Sequence, residues 1–141
     1  MRGAAVRVVL LGCVYFAAGI VFATLAGRAV SLDGRIAWRW TAWIVSVLAF
    51  GAHIVFEQLR PGSAPRLTAL RVSLAAGLGA FGLAAAANVH AQLATDREHS
   101  VILLASLVIW PVIIGLPAFV VALVSASVLA RLGRKRGHAR S

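Results

Sequence analysis

Charged residues divide this sequence into four long apolar runs, 8–27, 40–59, 72–93 and 101–130, and no other feature restricts its fold so strongly. A helix rises about 1.5 Å per residue, so crossing the roughly 30 Å hydrocarbon core of a bilayer takes about 20 apolar residues, a length that each run reaches. Within that core no water satisfies a backbone N–H or C=O, so a spanning segment bonds within itself or closes into a barrel. None of the runs alternates apolar and polar residues as a strand would. The expectation is an all-α, polytopic membrane protein: four transmembrane helices in an up-down antiparallel bundle, forming one domain over 1–141 with a basic tail at 131–141. The fourth run would be about 45 Å long if fully helical, which overshoots the bilayer. It also contains Pro111, Gly115 and Pro117, so a kink or break near Pro111 and Pro117 is expected.

Composition agrees with the runs. Apolar residues make up 61% of the chain, against roughly 45–50% in soluble domains. A formal charge of +10 would suggest a nucleic-acid partner in a soluble protein, but here the basic residues sit in short gaps between apolar runs. Nucleic acid is therefore not expected as a partner; the bilayer is. Ten of the fourteen lysines and arginines lie on one side of the four spans: Arg2, Arg7, Arg60, Arg66, Arg71, Arg131, Arg134, Lys135, Arg136 and Arg140. Because positive loops are retained in the cytoplasm, both termini are expected there, in a bacterial-type inner membrane. Arg28, Arg35, Arg39 and Arg97 then lie outside with Asp33, Asp96 and Glu98, and Trp38, Trp40 and Trp43 mark the outer interface. The basic tail attracts anionic lipid as well as setting orientation.

Two motifs resemble known signatures without their context. Leu10, Leu11, Gly12 and Cys13 match the box before a lipidated cysteine, but the apolar lead-in is too short for a signal peptide and the run continues past Cys13. The thiol reads as packed in the first helix. "GLGAFG", with Gly77, Gly79 and Gly82, matches a dinucleotide fingerprint letter for letter, yet it sits mid-span with no strand before it. The better reading is packing. Ser73, Gly77, Ala80, Ala84, Ala87 and Ala91 share one face of the third helix, and Gly12, Gly19, Ala23 and Ala26 form a small-residue stripe on the first. Such stripes bring helices together within one chain or between copies.

The second run carries the chemistry. At 100° per residue, Arg39, Ala42, Ser46, His53, Glu57 and Arg60 fall within a sector roughly 60° wide. With Arg60 at the inner boundary, Glu57 lies about 4–5 Å and His53 about 10 Å deeper. Two readings follow. As a proton-handling pair, an imidazole and a desolvated carboxylate one turn apart would share or pass a proton. As a polar seam, Glu57 would pair with Arg60 or Arg71 while His53 bonds a neighbouring helix. A lone His-x-x-x-Glu offers at most two metal ligands, and His90 is expected about 20 Å away in depth, so neither a metal nor any cofactor is assigned. No catalytic residue is assigned either, since no serine or cysteine has an evident base. The functional expectations, in order, are a structural, accessory or interaction role, as an oligomer or beside other membrane proteins; a proton-linked transporter or ion conduit using Glu57 and His53; and a haem-bearing redox subunit.

Overall fold

The computed structural model describes residues 2–60, 62–93 and 100–138. It contains α1 (Arg2–Arg28), α2 (Leu32–Gln58), α3 (Pro65–Leu93) and α4 (Ser100–His138), with no strand among the described residues. All four helices are long and apolar enough to cross a membrane. Their large apolar side chains remain exposed along most of their length, from Val9 and Val14 on α1 to Ile113 and Leu116 on α4. An apolar surface of that extent belongs in lipid, and it marks a multi-pass membrane protein.

Helix ends are set by local caps, which is why α2 and α3 begin before their apolar runs. The side chain of Ser31, with φ −94° and ψ 154°, accepts a hydrogen bond from the Gly34 amide and starts α2 at Leu32. Asp33 in the first turn adds a favourable charge at the positive end of the helix dipole. The hairpin to α3 turns through Gly62, whose φ of +72° is left-handed and suits glycine. Pro65 then occupies the first position of α3, where its missing N–H costs nothing.

α3 is the centre of the molecule: 39% of its most apolar stretch is buried, against 6% in α1 and in α4. Its opposite faces take different neighbours. Toward α1 the backbones approach closely: a Cβ placed on Gly79 would lie 2.6 Å from the Tyr15 Cβ, and one on Gly12 would lie 2.8 Å from the Leu78 Cβ. Toward α4, a Cβ on Gly77 would lie 3.6 Å from the Pro111 carbonyl oxygen, and one on Gly115 would lie 3.8 Å from that of Ser73. The small apolar core lies where α2, α3 and α4 meet, with Ile54, Ala69, Val72, Ala122 and Ala126 buried and Phe50, Phe119, Leu123 and Leu129 packed around them.

α4 stays helical through both Pro111 and Pro117. The expected interruption is therefore not a break in the helix. Each proline removes one backbone donor and crowds the carbonyl four residues earlier, a cost that membrane helices tolerate through local adjustment of the backbone.

Candidate functional site

Glu57 is the largest of the fully buried side chains among the described residues, 1% exposed, and lies near the end of α2. Three arginines from different parts of the chain converge on it. Arg71 on α3 donates from Nη1 to Oε2 at 3.1 Å, while the Nε atoms of Arg60 and Arg7 stand 3.5 and 3.6 Å from Oε1. Both carboxylate oxygens thus face guanidinium groups, as a buried charge requires. Arg60 also lies over the Phe56 ring, 4.4 Å from its centroid, so its charge is held from two sides.

One turn deeper, His53 is 6% exposed and shares a hydrogen bond of 3.0 Å between its Nδ1 and the Tyr15 hydroxyl on α1. Their rings sit 5.9 Å apart, tilted by 38°. The other ring nitrogen, Nε2, is buried without a partner. The hydrogen bond of His53 goes to Tyr15 and that of Glu57 to Arg71, so the two residues belong to adjacent but separate polar contacts.

The polar face read on α2 enters the bundle only over its last turns. His53 and Glu57 are buried and Arg60 is part-buried, whereas Arg39 and Ser46 are exposed. Along positions 32–49 no residue of α2 is buried. The small-residue stripes divide similarly. Gly12 and Gly19 of α1 face Leu78 and Leu83 of α3, but Ala23 is exposed. On α3, Ser73 and Ala84 are buried and Gly77 and Ala80 half-buried. Cys13 lies on the exposed side of α1, one position past buried Gly12, and is not packed against a neighbouring helix as the sequence suggested. His90 is exposed in the last turn of α3, at the end opposite Arg71.

Three participants escaped the sequence reading. Arg7 read only as an orientation signal, although it completes the Glu57 cluster. Tyr15 is the one tyrosine of the chain and sits mid-run, which was the available signal for a polar partner. Asn88 is 6% exposed, with Nδ2 2.8 Å from the Ala84 and Leu103 carbonyl oxygens and 3.2 Å from the Ser106 hydroxyl. It links the end of α3 to the start of α4, as a buried amide must when surrounded by apolar side chains.

Fold and polar cluster together define a multi-pass helical membrane protein in which one carboxylate, Glu57, gathers three arginines. No protein-family model, curated protein or solved structure matches the chain.

Proposed function

We propose that this protein is a small inner-membrane bundle with a structural or accessory role, exercised by associating with a neighbouring transmembrane helix from a second copy or from another membrane protein. The observation that carries the reading is the half-packed α2. Its last turns are locked in by His53, Ile54 and Glu57, while none of positions 32–49 is buried, with Trp38 lying against Phe22 of α1 and with Arg39 and Ser46 exposed on one face beside Trp43. A polar strip facing lipid gains by finding partners on another helix. The Glu57 cluster supports the same view, because a carboxylate held by three arginines is suited to fastening helices and poorly suited to releasing its charge.

An up-down order is part of the proposal. It rests on three meetings: Arg7 near the start of α1 with Glu57 near the end of α2, Phe22 of α1 with Trp38 of α2, and Asn88 of α3 with Ser106 of α4. The excess of lysine and arginine at the Arg7 end puts that end, and both termini, in the cytoplasm. The basic tail then faces anionic lipid. A photo-crosslinking residue at Trp43, on the face of Arg39 and Ser46, activated in native membranes, tests the association. A discrete adduct with a second copy or one membrane protein is the expected result; labelling of lipid alone rejects it.

A second reading has one specific observation in its favour: the buried His53, with Tyr15 on one ring nitrogen and no partner on the other. Such a group suits a proton-linked transporter or conduit, with a bend in α4 at Pro111 and Pro117 as its mobile point. Proton flux in proteoliposomes that drops on His53→Ala supports this alternative; unchanged flux in that variant and in Glu57→Gln removes it.

A further inference from the structure

The Glu57 cluster is electrostatically unbalanced. Three guanidinium groups meet a single carboxylate, and no other carboxylate joins the cluster among the described residues. Arg60 is turned toward Phe56, but Arg7 and Arg71 behave differently: both line a cavity of about 660 Å³ at the surface between α1 and α3, together with Gly3, Ala4 and Leu67. Their side chains remain 34% and 27% exposed while the carboxylate beneath them is 2% exposed. Glu57 therefore acts as a buried brace that orients two arginines without cancelling their charge.

The walls add to the effect. Gly3 and Ala4 belong to the first turn of α1, which carries the positive end of that helix's dipole, whereas at the start of α3 the Leu67 amide already donates to the Ala64 carbonyl oxygen at 2.9 Å. Space is available as well, since a side chain on Gly3 would meet nothing within 4 Å. Two braced guanidiniums beside the start of α1 suit a tetrahedral oxyanion, which arginine recognises through paired N–H donors.

We propose that the cavity between Arg7 and Arg71 binds a phosphate group, carried by an anionic lipid headgroup or supplied as free phosphate, with Glu57 as the positioning residue that holds the two arginines. This site is distinct from general attraction of lipid to the basic tail, because it demands a bound stoichiometry and a shaped pocket.

The test uses the full chain in phosphatidylcholine nanodiscs, titrated in one arm with phosphatidylglycerol and in the other with inorganic phosphate, with bound ligand counted by native mass spectrometry. The expected result is saturation at one ligand per chain. Ala4→Phe, which fills the cavity but leaves all three arginines in place, should weaken binding about tenfold or more, the scale of losing charge-assisted hydrogen bonds. Gly3→Leu blocks the same space from an open position and serves where Ala4→Phe unfolds. Arg66→Gln removes an equal charge from an exposed position of the first turn of α3 and should leave binding unchanged. Saturable binding in the phosphatidylglycerol arm alone assigns a lipid headgroup, and binding of inorganic phosphate assigns the free ion. Binding that never saturates, that survives both cavity-filling variants, or that falls equally in Arg66→Gln overturns the proposal.

Discussion

A glutamate inside an apolar helix is either neutralised by its surroundings or kept for exchange of a proton, and the unfolding of Glu57→Gln distinguishes the two. With guanidinium groups on both oxygens, Glu57→Gln leaves three arginines facing one another across a buried amide. Because those arginines are part-exposed, the expected loss is at the low end for a broken buried pair, about 1–3 kcal/mol, read as a lower unfolding temperature in detergent. An unchanged or raised unfolding temperature would favour the proton-handling reading. Tyr15→Phe removes a single shared hydrogen bond to His53 and should cost about 0.5–1.5 kcal/mol by the same measurement. At this scale the sequence was half legible. Arg60 lies three positions from Glu57 and Arg71 lies across a short hairpin, so both were foreseeable as partners. Arg7 and Tyr15 come from a helix far earlier in the chain, and whether they reach Glu57 and His53 depends on how α1 lies against α2, which spacing along the chain does not encode.

At the scale of the helix, glycine matters where backbones meet. Gly79 and Gly77 are two positions apart on α3 yet face different neighbours, and their substitutions should diverge. Gly79→Ala drives a Cβ to 2.6 Å from that of Tyr15, with the Phe16 amide nitrogen 3.3 Å away, so α1 must move. The expected cost is about 1–3 kcal/mol. Gly77→Ala meets the Pro111 oxygen at an ordinary 3.6 Å, and the better helix propensity of alanine should make it neutral or stabilising by up to about 1 kcal/mol. Equal effects of the two in thermal unfolding would contradict the close α1–α3 contact. Asn88→Ala should loosen α3 from α4 by about 0.6–1.7 kcal/mol, the range for polar contacts between membrane helices. Small residues announced that α3 packs tightly, and the "GLGAFG" segment proved to supply contacts to both sides. Which glycine serves which neighbour followed only from the assembled helices, as did the exposure of Ala23 within the stripe on α1.

The whole molecule is a row of α1, α3 and α4 joined by α3, with α2 fastened at one end and with no buried residue along its first two-thirds, where Trp38 lies against Phe22 of α1. The association proposed for that stretch makes a prediction at this scale. Ser46→Leu, which removes the hydroxyl from the exposed strip, should reduce the yield of the Trp43 crosslink at least several-fold while leaving the stability of the isolated chain within about 0.5 kcal/mol of the original. A lower unfolding temperature would instead mean that Ser46 serves the fold.

The sequence by itself determined the four helices long and apolar enough to cross a membrane and the all-helical backbone of the described residues. Each follows from water-to-oil transfer and backbone hydrogen bonding, which act on a segment whatever its neighbours are. Only the tertiary structure decided that Arg7 and Tyr15 join the polar cluster, that α3 lies between α1 and α4, and that the polar face of α2 is buried at one end and bare at the other. In a bilayer the exclusion of oil drives no helix toward another, so these arrangements rest on short-range fit between surfaces and on a few polar contacts. That fit depends on the tilt, rotation and register of whole helices, and it exists only once they are assembled.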